Sequence, residues 1–584
     1  MRLLRLSSPL QNTRVSYRPN TTLCWPHINR RSCSCSAPLG LSITKPLSAS
    51  RPLQHRRGRT KLRTASDDDD YSPADHRAIG TEQSLFTTHP SSPGAPFFQP
   101  DGTHIFQKLV SFLRAQYPHF GFREVLTPTM YKKTLWQQSG HWENYKDDMF
   151  TVTGNPSEQS QGAASDFGGQ SMQPEKGLED APKSEEYGLK PMNCPGHCIL
   201  YRTERRSYRD LPIRYAEFSP LHRNEISGAL SGLTRVRRLH QDDGHIFCRP
   251  SQIKQEIAQS LAFIRMVYKT LGLGNYNFVL STRPEKNYIG SAEEWDRAEE
   301  QLKAALNELG SIGVEDGKVG LGWKARKGDG AFYGPKIDVI LRDDNGKEHQ
   351  TGTIQLDFQL PKRFELAYES PAVEMEAKGE DWKSSETRAV RGMATPVMIH
   401  RAILGSLERF MALLLENCRG KLPFWLSPKQ FIILTVGDEE PIKAYANKLR
   451  ICISDKEGLK NPRKLLAKAI GSLDCMVDID DSSDTMAQKV VRAKKKNYNV
   501  ICVVGQRNLA KNPQELLGAT MDLDVSAQPD QRKTWDLIET VKPGSQAPVQ
   551  KDKGTGAKFR GLPGVRMNIT QCKRLIRELN ANYY

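Results

Sequence analysis

The sequence predicts an α+β protein, a large antiparallel-sheet domain followed by a smaller α/β domain, and three observations carry that assignment. Runs such as GFREVLTP, LPIRYAEFSPLHR, IDVILRD and TIQLDFQLP alternate apolar and polar residues and end in turn formers, the pattern of antiparallel strands. From about Leu422 the pattern changes. QFIILTV, EPIKAYANKLRICIS, DCMVDID, DTMAQKVVRAKKK and YNVICVVG alternate apolar strands with amphipathic helices, which implies βαβ units and a parallel or mixed sheet. Between the two regions, IHRAILGSLERFMALLLENC spaces its apolar residues by three and four, which predicts a helix over 399–418 carrying His400 and Arg409.

Taken in order, residues 1–66 hold 11 Arg and 2 Lys with no acid, so the rest of the chain carries only +4 of the net charge of +17. An Arg-rich, Ser-rich, acid-free start reads as an organellar transit peptide, expected to be disordered and to direct the protein to the mitochondrial matrix, rather than as a basic disordered arm that binds RNA. The acidic DDDD at Asp67–Asp70 precedes the ordered sequence, which starts near SPADHRAIGTEQSLF. The first large domain is expected over 67–419, interrupted by a polar, low-complexity insertion at 154–186, and the smaller one over 420–584, with a flexible loop at 543–560. No apolar run approaches the roughly 18 residues a membrane helix needs, which excludes a spanning helix. Neither a GxGxxG nor a GxxxxGK[ST] loop is present, so neither a Rossmann dinucleotide site nor a P-loop is indicated.

The stretch HQDDGHIF, from His240 to Phe247, carries the densest chemistry. Read as a strand, it puts Gln241, Asp243 and His245 on one face and His240, Asp242 and Gly244 on the other. An amide, a carboxylate and an imidazole in a row suit a metal site, an acid/base pair or small-molecule recognition; they also suit a strand whose polar face is simply wet. Three of the 11 cysteines fall in the N-terminal basic segment, and the other eight are scattered without a disulfide framework. An isolated cysteine such as Cys194 in NCPGHC is ordinarily a buried apolar residue.

Several separated stretches, in order, carry a resemblance. GFREVLTPTMYKKTLWQQSGHWENYKDDMF is similar to the first motif of the class II aminoacyl-tRNA synthetases and its extension. KPMNCPGH resembles the cysteine strand of the threonyl-tRNA synthetase family. YAEFSPLHRNEISGALSGLTRVRRLHQDDGHIF resembles the second motif with its continuation, and TPVMIHRAILGSLERF the third. With GAFYGPKIDVILRD and TGTIQLDFQLP, the likeness covers roughly 75–423, and LPFWLSPKQFIILTV onward looks like the anticodon-binding domain of that family.

The resemblance implies a role for each matching position. Cys194, His245 and His400 correspond to zinc ligands, a thiolate and two imidazoles that leave an open position for substrate. L-Threonine would meet the metal through its amine and hydroxyl, with Asp243 accepting the hydroxyl proton, Gln241 near the carbonyl, and Tyr333 and Met192 lining the pocket. ATP with Mg²⁺ would be held by Arg223 on the α-phosphate, Glu225 on the adenine amino group and Arg409 on the γ-phosphate. Arg235, Gln355 and Ser406 are further candidates at the ATP end. His141 in SGHW matches a histidine placed at the terminal ribose of tRNA(Thr), as a proton relay or orienting group. A homodimer through the first motif is implied as well. Asp242, on the opposite strand face, is expected to be structural. Leu239 stands where relatives usually have a Phe on adenine, ELLGATMDLDVSAQPDQRKTW departs from the usual anticodon-contact segment, and no editing domain that hydrolyses seryl-tRNA is expected before the catalytic domain. A synthetase for proline or serine, and a synthetase-like RNA-binding protein without chemistry, are the rival readings. The intact metal and phosphate-clamp residues argue against them.

Overall fold

The computed structural model describes residues 73–153, 186–274, 276–286, 288–311, 322–343, 346–379, 390–454, 475–509, 520–526, 528, 531–541 and 564–584. The expected transit peptide, the insertion over 154–185 and the loop at 543–560 lie outside them. No helix among the described residues is long and apolar enough to cross a membrane.

Eight strands form the central sheet: β1 (Arg123–Glu124), β2 (Ile213–His222), β3 (Arg238–Cys248), β4 (Tyr276–Ser281), β5 (Trp323–Arg326), β6 (Lys336–Arg342), β7 (Glu348–Asp357) and β8 (Val397–Ser406). Their spatial order is β5-β4-β6-β7-β8-β3-β2-β1. All neighbours pair antiparallel except the outermost strand at each edge, which is parallel to the strand beside it. The period-two pattern sorts the two faces: Ile246, Ile337, Val339, Ile354, Leu356, Ile399 and Ile403 enter one apolar core, while Asp243, His245, Gln355 and His400 project from the other face.

Five helices supply the other half of that core: α1 (His76–Glu82) lies at its edge, and α2 (Pro100–Gln116), α4 (Ile253–Thr270) and α6 (Leu407–Asn417) pack on it, with α5 (Ala292–Ser311) against α4. A further helix, α3 (Cys194–Arg202), sits on the site face. In α4 the buried Ile253, Ile257, Leu261, Ile264 and Val267 recur at three and four spacing, so one stripe of the helix meets the sheet. Fully burying each such side chain contributes about 1.5–3 kcal/mol before ordering entropy is charged.

Two expectations need correction. The segment 399–418 is not one helix: strand β8 runs to Ser406 and α6 begins at Leu407. In β8 every residue from Val397 to Gly405 is buried, so both strand faces are covered, little alternation is left to read, and the run merges with the helical pattern after it. Gly405, at φ +69°, ends the strand where a Cβ would stand 2.2 Å from the Thr351 carbonyl oxygen, and the Ser406 hydroxyl caps the helix by accepting from the Arg409 amide. His400 and Arg409 therefore belong to different elements. Cys194, likewise, is not on a strand: it is the first residue of α3, where Pro195 in the first turn costs no hydrogen bond.

A second sheet, β9 (Phe431–Thr435), β10 (Val477–Asp480), β11 (Val500–Val504), β12 (Thr520–Asp524) and β13 (Gly564–Asn568), has the order β10-β9-β11-β12-β13. Its first three strands are parallel and the last two antiparallel, the mixed sheet that the strand and helix alternation implies. Helices α7 (Glu440–Ile453) and α9 (Ile569–Ala581) fill its core from one side, and α8 (Met486–Lys495) packs under β9. The Lys429 ammonium reaches Asp101 of α2 at 2.9 Å, and Tyr583 packs edge-on against Phe112 and Trp425, tying this sheet to the first.

Candidate active site

An open cleft of about 420 Å³ lies on the polar face of the central sheet. Antiparallel register builds its floor: Tyr215, His245, His400 and Gln355 stand in one row across β2, β3, β8 and β7. Cys194, from the start of α3, closes on the two histidines. The thiol and the two imidazoles are buried, and one donor atom from each lies within 4.8 Å of the others.

The outer partners of these histidines fix their tautomers. His400 Nε2 is 2.9 Å from an Asp357 carboxylate oxygen; the other oxygen of Asp357 accepts from the Gln359 and Leu360 amides, so His400 donates from Nε2 and its Nδ1 is a lone pair. His245 Nδ1 is 2.7 Å from His197 Nδ1, and His197 Nε2 is 3.0 Å from Glu217. Burial opposes ionisation of Glu217, but hydrogen bonds from His197, Lys190 and the Thr127 amide hold its carboxyl down at about 2. An ionised Glu217 makes His197 Nε2 a donor; with His197 as a neutral imidazole its Nδ1 then accepts, His245 donates from Nδ1, and His245 Nε2 is free. His245 Nε2 and His400 Nδ1 face each other at 3.0 Å, and in these neutral tautomers both present lone pairs. Such a pair repels unless a cation stands beside it. Burial also pushes the Cys194 thiol well up and holds His245 well below its ordinary range, which leaves one proton for a metal to displace. The donor set, one sulfur and two imidazole nitrogens with oriented outer partners, fits zinc.

Asp243 stands next to this group, with one carboxylate oxygen 3.9 Å from His245 Nε2 and the other accepting from Asn193 Nδ2 at 3.1 Å. Asn193 is itself held by the Ser219 hydroxyl at 3.0 Å. Burial raises the Asp243 carboxyl above its ordinary value, against the hydrogen bond from Asn193. Tyr333 shares a short hydrogen bond with Gln355, and its ring lies 5.6 Å from that of His400. Met192 and Gln241 line the same cleft. On the reverse face Asp242 accepts from Arg401 and from the Ile403 and Leu404 amides, where the register between β3 and β8 shifts.

At the other end Arg223, Arg235 and Glu225 line the cleft, with Arg235 paired to Glu225 at 2.7 Å. Arg409 lies behind them and donates to the carbonyls of Thr234 and Gln350. Burial, and then the like charges of Arg223 and Arg235, lower its pKa. Three guanidiniums gathered at one end make a site that a polyphosphate would relieve. Ser406 is set apart: its hydroxyl caps α6 and donates to Glu408 at 3.1 Å. Leu239 packs with Leu221 and Val236. His141, only 7% exposed, lies with Nε2 3.6 Å from the Cys194 sulfur, beside a small side pocket rather than on the open cleft; burial depresses it to about 4, so it is neutral.

Sequence reasoning missed the outer layer, namely Asp357, His197, Glu217, Lys190 and Asn193. His197 was within reach, three residues after Cys194 in NCPGHC; the others come together only through the sheet register. It also passed over Lys336, Gln350 and Thr353, which line the cleft between the two ends.

Comparison with known proteins agrees with this architecture. Residues 178–418 match the tRNA synthetase class II core domain (G, H, P, S and T), and residues 430–516 match an anticodon binding domain. A probable mitochondrial threonine-tRNA ligase of Schizosaccharomyces pombe is 45% identical over 473 residues, covering 80% of this chain and 90% of the relative. The mitochondrial threonine-tRNA ligase of Saccharomyces cerevisiae is 42% identical, covering 74% and 83%. A crystal structure described as the RNA binding domain of threonyl-tRNA synthetase from Cryptosporidium parvum superposes with a TM-score of 0.59 at 38% identity, over 77% of this chain and 92% of that one. With a fold, a cleft and relatives that agree along most of its length, the chain belongs to the threonine-tRNA ligase family of class II aminoacyl-tRNA synthetases.

Proposed function

We propose that the cleft reads threonine at a zinc ion held by Cys194, His245 and His400, joins it to AMP, and passes it to the terminal ribose of mitochondrial tRNA(Thr). Class II membership gives the substrates in outline: ATP with Mg²⁺, an amino acid and a tRNA. The observation that carries the finer reading is the pair of imidazole nitrogens 3.0 Å apart beside a buried thiol, with Asp243 at its rim. Bound there, the metal would supply a Lewis-acidic contact that takes an amine and a hydroxyl together.

The residues of the chain do the rest. Asp243, anchored by Asn193, accepts the threonine hydroxyl, while Tyr333, Met192 and Gln241 bound the pocket. In activation the amino-acid carboxylate attacks the α-phosphorus of ATP and pyrophosphate leaves, so two anions must be brought together. Arg223 bridges carboxylate and α-phosphate, Arg409 and Arg235 take the outer phosphates, and Glu225 receives the adenine amino group. Gln355 acts through its bond to Tyr333, and Ser406 through the cap of the helix that carries Arg409. In transfer the ribose hydroxyl attacks the adenylate carbonyl and AMP departs, with His141 as an orienting neutral imidazole.

Zinc assay with threonine-dependent ATP/pyrophosphate exchange tests this reading. Zinc near one equivalent per chain is expected, with exchange lost on chelation and regained on adding zinc; full exchange by zinc-free protein would overturn it.

The proposed domain division, 67–419 and 420–584, follows the two sheets. A homodimer is proposed through the first motif, where Leu126, next to edge strand β1, is 82% exposed. Replacing it, Leu126→Glu, is expected to halve the mass seen by light scattering; an unchanged mass would place the contact elsewhere. The relatives' mitochondrial names and the acid-free segment 1–66 support a mitochondrial location, with the matrix as the proposed compartment.

A further inference from the structure

His76, the first residue of α1, is only 4% exposed and belongs to no part of the cleft. Its Nδ1 is 2.7 Å from a Glu416 carboxylate oxygen near the end of α6, and its Nε2 accepts from the Leu233 amide at 3.1 Å. The Leu233 N–H can only donate, so Nε2 is the lone pair and Nδ1 carries the proton to Glu416. One imidazole thus spans three segments distant in sequence.

The segment it reaches is a tight turn. Ser231 and Arg235 close it with two backbone hydrogen bonds of 3.2 Å, and Gly232, at φ +47°, leaves room for the ring, because a Cβ there would stand 2.2 Å from His76 Nε2. The residue after Leu233 is Thr234, whose carbonyl receives Arg409 Nε at 2.9 Å, and next comes Arg235, paired to Glu225. The turn is therefore held from behind by His76 and in front by Arg409. Helix α6 carries both Arg409 and Glu416, so the same helix fixes both attachments.

We propose that His76 is a positioning residue for nucleotide: by capping the Leu233 amide it sets the 231–235 turn so that Arg235, Glu225 and Arg409 meet ATP in register. This rests on the reading of that end of the cleft as the ATP site. His76 touches no substrate. Its removal leaves a buried N–H without an acceptor and a turn free to shift, which acts on nucleotide and not on the metal end.

The two ring nitrogens can be separated by substitution. His76→Gln keeps an acceptor at the Nε2 position and gives up the bond to Glu416; His76→Asn keeps a donor at the Nδ1 position and gives up Leu233. In threonine-dependent ATP/pyrophosphate exchange by the full chain, His76→Asn is expected to raise the KM for ATP about tenfold, the scale of one unsatisfied buried donor, with the KM for threonine changed by less than about twofold. His76→Gln is expected to return the KM for ATP to within about threefold of the parent. A purely structural role predicts the reverse order, with Asn the milder variant, or equal changes in both KM values, and either result overturns the proposal. Should His76→Asn fail to fold, Gly232→Ala presses on the same contact from the turn side and must give the same ATP-selective change. Parent protein without threonine-dependent exchange would instead reject the ATP-site reading itself.

Discussion

Serine is expected to drive ATP/pyrophosphate exchange with a kcat/KM about 10–200-fold below threonine, and valine to fall about 10⁴-fold or more below it. The two numbers differ because the two analogues fail differently. Valine has the size of threonine but no hydroxyl, so it would leave Asp243 facing a methyl group, and that carboxylate cannot turn away: Asn193 holds one of its oxygens at 3.1 Å and is itself braced by Ser219. A buried acceptor left unpaired is costly, and a site built around one rejects the analogue that lacks the group. Serine keeps both groups that the metal and Asp243 read and lacks only a methyl, whose burial is worth about 1–3 kcal/mol. The pocket alone therefore activates serine at a measurable rate, and purified chain with tRNA is expected to form some seryl-tRNA. Asp243→Ala should narrow the threonine to valine gap while leaving the serine gap nearly as it was. Valine exchange within about a hundredfold of threonine, or no exchange with saturating serine, would sink a hydroxyl-reading site.

The inner site was legible where chemistry coincides with strand period. Gln241, Asp243 and His245 alternate along one strand, so the sequence states which face they share, and the structure puts Asp242 on the other face, bound to Arg401 and backbone amides as a structural residue. His400 was misplaced onto a helix because β8 is buried on both faces: a strand covered on two sides has little alternation to read, and the helix that follows supplied a misleading period. Cys194 was assigned a strand where Pro195 opens a helix. Lys190, Glu217 and Asp357 were unreadable for a different reason. Nothing local distinguishes them, and they converge only after β2, β3, β7 and β8 have found their register, so their function is a product of tertiary pairing.

That outer layer carries the second large expectation. Glu217, Lys190 and His197 are all fully buried, and Glu217 accepts from Lys190 Nζ at 2.9 Å, from His197 Nε2 at 3.0 Å, and from the amide and hydroxyl of Thr127. Glu217→Gln removes the charge that balances Lys190 in a dry site, and breaking a buried pair from one side costs about 3–5 kcal/mol. Urea unfolding at neutral pH should register a loss of that order. The pH dependence has a definite sign: the folded carboxyl sits at about 2 against an ordinary 4.5, so its stabilisation is present above 4.5 and disappears as pH falls toward 2. Parent and variant should accordingly converge on acidification. A second readout follows from the tautomers. An amide that turns its NH₂ toward His197 Nε2 forces His197 to protonate Nδ1, and His245 must then carry its proton on Nε2, the atom that faces His400. Zinc affinity, measured by chelator competition on folded protein, should fall about 10–100-fold. Replacing both charges together, Lys190→Met with Glu217→Leu, should recover much of the stability, because no lone charge remains, but not the zinc affinity, because His197 has lost its acceptor. If the double variant regains both, the buried string serves packing alone; if it regains stability only, Glu217 orients the metal ligand His245 through His197.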